Sequence, residues 1–283
     1  MDPKPSSPPR AAFNLNSISV AARITFFYLV SGFLWILFSD QVLLLATQDV
    51  DRLSELQTYK GWFYVFITAG LLFLLVRHYF RIIEAGKEEL KLSYDATLEG
   101  WVRALDLRDQ ETEGHTMRVT ELAQTLARRI GLPEEDVEII RVGAMLHDIG
   151  KMAIPDHILH KPSPLTPEEE EIMRRHPVYS CEFLSRTRHL HKYMDIPCHH
   201  HERWDGSGYP HGLKGEQIPL AARIFAVVDV YDALASDRPY RKGISQEEII
   251  SYIQSESGKY FDPMCADSFL QMIRNLQYEP ARV

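Results

Sequence analysis

Two uncharged apolar runs constrain this chain more than any other feature. ITFFYLVSGFLWILF covers residues 24–38 and GWFYVFITAGLLFLLV covers 61–76. A helix needs about 20 mostly apolar residues to cross a bilayer, so each run must borrow from its flanks, the first reaching back to Val20. Phe26, Phe27, Trp62, Tyr64 and Tyr79 crowd the edges, where an interfacial aromatic belt belongs. Neither run has a polar face, which argues against core helices. No small-residue cleavage site follows the first, which argues against a removed leader. The expectation is a two-helix transmembrane hairpin over residues 20–76, preceded by a proline-rich, disordered tail over 1–19.

Orientation follows from the flanking charges. Lys4, Arg10 and Arg23 lead the first run, and Arg77, Arg81, Lys87 and Lys91 follow the second. The segment between them carries Asp40, Asp49, Asp51 and Glu55 against Arg52 and Lys60. The positive-inside rule then places both termini in the cytoplasm, with a loop of about twenty residues outside. Residues 77–92 are charged and helical in pattern, and read as a connecting helix ahead of a domain spanning 93–283.

That domain is acidic. Residues 1–92 have a net charge of +1 and the rest −9, within a total of −8. Such a surface excludes bulk nucleic acid as a partner, and any phosphate ligand must be attracted by something else, such as bound metal ions. Cys181, Cys198 and Cys265 form no CxxC pair. They are expected to be free, buried thiols in a reducing compartment.

The fold class expected is all-α. YDATLEGWVRALDLRDQETEGHTMRVTELAQTLARRI reads as helix up to Gly131, a good residue just past a helix end, and Pro133 opens the next. Thr166-Pro167-Glu168-Glu169 and Ser245-Gln246-Glu247-Glu248 are capping boxes, and Asp262-Pro263 starts the last helix. ARIFAVVDVYDALA is too long and alanine-rich for a strand.

Within this frame the imidazoles and carboxylates are the informative residues. Glu111 and His115 are four apart, which puts both on one face of a helix. His147 and Asp148 are adjacent where Gly150 ends an apolar helix. His176 rides on the helix begun at Thr166, and His200 and His201 precede Glu202. Asp229 interrupts an apolar helix, as does Asp232, and a buried carboxylate needs a partner such as a cation. His78, His157, His160, His189, His191 and His211 read as ordinary surface or structural histidines. Eight imidazole and carboxylate ligands exceed the capacity of one metal. A thiolate-free set of this kind favours iron or manganese, and two metals make the usual clamp for in-line phosphoryl displacement. Lys151, in HDIGK, supplies an ammonium for a phosphate or a leaving oxygen.

LRDQETEGHTMRV, LHDIGKMAIPDHIL, HHERWDGSGYP and ARIFAVVDVYDAL occur in that order. From about Ser93 onward the chain thereby resembles the HD-GYP family of cyclic di-GMP phosphodiesterases, within the HD superfamily of metal phosphohydrolases. SGFLWILFSDQ together with QTYKGWFYVFITAGLLF looks like a two-helix anchor seen ahead of bacterial signalling domains. The resemblance implies an HD-type helical bundle with a C-terminal GYP extension, preceded by two transmembrane helices. It implies as metal ligands His115, His147, the bridging Asp148, His176, His200, His201 and Asp229, with His199 as an extra. Glu111 takes the position that holds a third ion in some members, so two or three divalent ions are expected, iron or manganese foremost. Lys151 and Asp148 are the catalytic expectations, and Asp205, Gly208, Tyr209 and Pro210 the substrate-side loop.

The activity implied is hydrolysis of cyclic di-GMP to pGpG, and onward to GMP, by attack of a metal-activated hydroxide. The setting implied is the bacterial inner membrane, crossed twice, with the catalytic domain cytoplasmic. Partners expected are cyclic di-GMP, the lipid bilayer, a second copy of the chain through residues 80–92, and diguanylate cyclases. Two alternatives stand beside this reading: an HD hydrolase of another nucleotide, disfavoured by DGSGYP, and a non-catalytic nucleotide-binding scaffold, disfavoured by a complete ligand set.

Overall fold

The structure, a computed structural model, describes residues 15–109, 114–237 and 242–277. Among them all regular structure is helical, apart from one isolated bridge between Ser257 and Phe261. The chain divides into two compact units, Met1–Glu88 and Glu89–Val283.

The first unit is a helical hairpin of α1 (Leu15–Ala46) and the opening half of α2 (Val50–Asp109). The external loop expected over 39–60 shrinks to residues 47–49. Local chemistry explains this: Asp49 accepts the Asp51 N–H at 3.0 Å and starts α2 as its N-cap, a role suited to an acid at a helix N-terminus. Lys60 pairs with Asp40 across the hairpin, and Trp35 stacks on Phe63 and Tyr64 with centroids 5.8 and 5.9 Å apart. Two segments, Ala22–Leu45 and one within Val50–Asp109, are long and apolar enough to cross a bilayer. Almost nothing covers their apolar side chains; Phe27 is 68% exposed and Phe66 equally so. A soluble core helix would be buried instead.

The second unit holds the end of α2, α3 (His115–Ile130), α4 (Glu134–Met145), α5 (Asp156–Leu159), α6 (Pro167–Met173), α7 (His176–Ser185), α8 (Asp195–His199), α9 (Leu220–Ala235), α10 (Gln246–Glu256) and α11 (Pro263–Gln277). Helix α4 is apolar on more than one face, and it divides the core. Ile140 and Ala144 pack with Leu126, Phe225 and Phe269, from α3, α9 and α11. Val142 and Met145 pack with Leu98 and Val102 of α2 and Leu184 of α7. The turn leaving α4 therefore emerges between two cores, on a rigid support.

The helix ends written into the sequence form as expected. Both capping boxes are complete, and Gly131, with φ at 95°, closes α3 through its N–H to Arg128 and Ala127 carbonyls. Three boundaries differ. The helix expected through Glu111 and His115 ends at Asp109, and α3 begins afresh at His115 after Gly114, whose φ is 75°. Glu111 itself lies outside the described residues. His147 and Asp148 sit in the turn beyond α4, not at its end. His176 opens α7 and is separate from α6. Here Pro177 is the cause: lacking an N–H, it cannot bond the Met173 carbonyl and carry α6 onward.

The cysteine expectation also needs correction. Cys181 of α7 and Cys198 of α8 form a disulfide, with Cα atoms 5.4 Å apart, and Cys265 alone is a free buried thiol. Nothing in a 17-residue separation without a motif signals that pairing, and the cysteine argument for a reducing compartment lapses with it.

Candidate metal centre

Five imidazoles and two carboxylates converge from five elements of the second unit. His115, His147 and Asp229 form one group, and His176, His200 and His201 another, with the potential ligand atoms of each within 4.8 Å of one another. Asp148 lies between the groups. Its Oδ2 is 3.1 Å from His147 Nε2, and its Oδ1 is 3.2 Å from His176 Nε2 and 3.7 Å from His200 Nε2. One oxygen thus faces each group, the geometry of a bridging carboxylate. Phe225, fully buried, lies beneath His147 with centroids 4.9 Å apart, so the core floors the centre.

Four of the rings are held by their far nitrogen. Nδ1 of His147 bonds the Ala144 carbonyl at 2.8 Å, that of His176 the Met173 carbonyl at 2.9 Å, and that of His200 the Ile196 carbonyl at 3.1 Å. The carbonyl that Pro177 leaves free is the one His176 uses. His115 Nδ1 meets Asp232 Oδ2 at 2.7 Å, while its Nε2 is 3.4 Å from Asp229 Oδ1. Asp229 and Asp232 are three apart on α9, so both project toward one ring. Arg118 clamps Asp232 through Nε at 2.7 Å and Nη2 at 2.9 Å. With Nδ1 engaged, each ring turns Nε2 to the centre as a lone-pair donor, the arrangement that orients histidine ligands.

Electrostatics agree with a cation site. Burial alone would raise the Asp148 carboxyl, but His147 and Lys151 beside it hold it well below the usual carboxylate range. Burial opposes charge on Asp229 too, and His115 beside it with the field of His147 lowers it nevertheless. At Asp232 the bonds from His115 and Arg118 overcome burial and bring it down to about 2. At His147 the field of Asp148 outweighs burial and raises the imidazole, so this corner attracts positive charge. Burial and neighbouring imidazoles lower His200 and His201, which stay neutral, as ligands must be. Imidazoles beside ionised carboxylates fit hard-to-borderline divalent cations, one in each group. The third ion expected through Glu111 falls on a position outside the described residues.

A cavity of about 360 Å³ opens over the centre, walled by His147, Asp148, Lys151, His201, Tyr209 and Asp229 among others. Lys151 Nζ is 2.8 Å from Asp148 Oδ2 and 2.7 Å from Asp109 Oδ2. Sequence reasoning did not single out Asp109, since nothing but a cation 42 residues away gives it a role. In the sequence Asp232 stands out only as a carboxylate in an apolar helix, and Arg118 only as part of a motif.

The loop from Glu202 to Leu213 supplies one wall. Buried Glu202 accepts the His211 N–H at 2.7 Å and the Leu213 N–H at 3.0 Å. Gly208 packs directly on the strand of chain that follows the two histidines; a Cβ there would lie 2.3 Å from Arg203 N. Tyr209 lies against His201, with centroids 4.8 Å apart, and beneath the Arg174 guanidinium. The Tyr209–Pro210 peptide is cis. Asp205 is exposed, and its carboxylate closes a turn by accepting the Ser207 N–H at 2.8 Å. Of the four loop residues expected to meet substrate, Tyr209 lines the cavity, while Asp205, Gly208 and Pro210 shape the loop behind it.

Residues 101–265 match the family model described as HD domain. The chain is 44% identical over 189 residues to the cyclic di-GMP phosphodiesterase response regulator RpfG of Xanthomonas campestris pv. campestris, covering 66% of this chain and 50% of that one. It is 42% identical over 201 residues to a cyclic di-GMP phosphodiesterase of Thermotoga maritima, covering 69% and 55%. It therefore spans about half the length of these relatives. Among solved structures, a cyclic GMP-AMP specific phosphodiesterase of V. cholerae shares the fold at a TM-score of 0.50 and 21% identity, over 64% of this chain and 49% of that one.

Proposed function

The chain belongs to the HD domain family, and on that premise we propose that it is a metal-dependent cyclic di-GMP phosphodiesterase held to a membrane by its N-terminal hairpin. The observation that carries the reading is the placement of Asp148. Its two oxygens face two separate histidine groups, and Lys151 lies against it at the mouth of the cavity. Relatives at 42 and 44% identity bear the name cyclic di-GMP phosphodiesterase, which supports the substrate.

In this reading His115, His147 and Asp229 would hold one divalent cation, and His176, His200 and His201 the other, with Asp148 available to both. Bound cations supply Lewis acidity to a phosphodiester and acidify water for in-line attack. The chain's own residues do the rest. Asp232 and the three backbone carbonyls fix the ring orientations. Lys151 offers its ammonium to the phosphoryl oxygens and the departing 3′ oxygen, where negative charge grows. Tyr209 gives a flat wall for a guanine, and Glu202 holds its loop in place. Linear pGpG is the product of one cleavage, and GMP of a second.

The hairpin is read as the anchor because its apolar side chains have little protein cover and its ends are basic. Iron and manganese remain the metals favoured by the donor set.

The test uses the full chain in detergent, loaded anaerobically with Fe(II) or Mn(II), with cyclic di-GMP and 3′3′-cGAMP supplied separately. Preferential release of pGpG from cyclic di-GMP supports the reading. Preferential cleavage of the mixed dinucleotide moves the substrate assignment, and turnover of neither removes the enzymatic one.

A further inference from the structure

Arg108 occupies the last turn of α2, beside Asp109, and spends its whole donor set on one segment. Its Nη1 donates to the carbonyls of Lys151 at 3.2 Å and Met152 at 2.6 Å. Its Nη2 donates to the Ile154 carbonyl at 2.6 Å and to Asp156 Oδ1 at 2.8 Å, which Nε also reaches at 3.2 Å. A guanidinium has five N–H donors in a rigid planar fork, and these five bonds use that number.

The acceptors belong to the single-turn segment Ile149–Ala153 and the residues just after it. A turn this short leaves carbonyls such as those of Met152 and Ile154 for an outside donor, and Arg108 collects them, sharing the Lys151 carbonyl with the Ile154 N–H, which reaches it at 3.0 Å. The opposite side is fastened to α7. The Gly150 N–H donates to Ser180 Oγ at 2.9 Å, and a Cβ on Gly150 would lie only 1.9 Å from the His176 carbonyl oxygen. The backbone of Lys151 is thus gripped from both flanks, and its ammonium is met by Asp109 from the same α2 turn as Arg108.

We propose that Arg108 is a positioning residue for Lys151. It fixes the backbone from which the lysine reaches Asp148 and the cavity, while Asp109 fixes the ammonium end. The function depends on fork geometry as well as charge, because a lysine at 108 has neither five donors nor a planar head. The inference rests on the reading of the cavity as a phosphodiesterase site, but its geometric half is tested without turnover.

The experiment takes the full chain and its Arg108→Ala and Arg108→Lys variants. Acylation of Lys151 by an amine-reactive ester is followed by peptide mass spectrometry, with exposed Lys259 as internal reference. Loss of the clamp is expected to speed Lys151 acylation about tenfold in Arg108→Ala, with Arg108→Lys intermediate and Lys259 unchanged. Equal Lys151 rates in all three proteins overturn the proposal, whatever the enzyme does. Turnover of cyclic di-GMP is then compared in a cycle with Lys151→Met. In the native background Arg108→Ala should lower kcat by 10- to about 100-fold, and with Lys151→Met present it should cost less than about twofold. An equal loss in both backgrounds overturns the positioning role, since a general structural contribution acts without Lys151. Should Arg108→Ala not fold, Arg108→Lys carries both comparisons with the same criteria. A native protein without turnover, but with protected Lys151, condemns the functional reading and leaves the clamp standing.

Discussion

His115 Nδ1 and Asp232 Oδ2 lie 2.7 Å apart in the buried interior, 117 residues distant in the chain. This contact ties the first residue of α3 to α9 and decides which ring nitrogen of His115 faces the centre. A carboxylate behind a ligating imidazole commonly contributes 10- to 100-fold in metal affinity. Asp232→Asn is therefore expected to release metal at about 10- to 100-fold lower chelator concentration than the native chain, measured by competition with a metallochromic indicator. Unchanged affinity would reduce Asp232 to an ion-pair partner of Arg118.

Asp148 faces both histidine groups, so its removal uncouples them. For Asp148→Ala we expect a loss of turnover on the order of 10³-fold or more and fewer metal atoms per chain by elemental analysis. Full activity in this variant would falsify the assigned centre.

Gly208 has backbone neighbours where a Cβ would go, the nearest at 2.3 Å. Backbone cannot swing aside like a flexible side chain, so Gly208→Ala must displace the loop bearing Tyr209. The expected result is a loss of about 1–3 kcal/mol in denaturant unfolding, with KM for the dinucleotide raised more than kcat is lowered. A variant with native KM removes Tyr209 from the substrate wall.

Burial, reinforced by Asp262, pushes the Cys265 thiol up to about 12 from an ordinary value of 9.0. The sign follows from linkage: the folded state favours the protonated thiol. The stabilisation is complete below pH 9 and is lost as pH rises toward about 12. Cys265→Ala should remove that part of the alkaline decline, read as the difference between the two unfolding profiles. At pH 8 the native thiol should resist maleimide until denaturant is added. Rapid native labelling of the Cys265 peptide counts against its burial.

If the hairpin anchors the chain, alkaline carbonate will not strip the protein from cell membranes. Gln48→Cys, in the turn between α1 and α2, should be labelled from outside by an impermeant maleimide in intact cells. Ser93→Cys should be labelled only after lysis. The reverse pattern inverts the topology, and extraction by carbonate removes the anchor.

Much of this protein is determined within short stretches of sequence. Thr166, Ser245, Asp262 and Gly131 set helix ends because caps and left-handed turns act over three or four residues. The apolar runs set the hairpin helices for the same local reason, although the Asp49 cap makes the turn between them much shorter than the charges suggested. The ligand types, imidazole and carboxylate, were equally legible. What tertiary structure alone decided is how those groups face one another. Pro177 breaks a helix locally, but only packing brings His176 to Asp148. The bond of His115 to Asp232, the grip of Asp109 on Lys151, the five donors of Arg108 and the Cys181–Cys198 bridge each join residues 17 to 117 positions apart. No local propensity encodes such pairs. They arise because α4 is apolar on several faces and packs α2 and α7 against one side and α3 and α9 against the other, with the turn bearing His147 and Asp148 at the meeting point.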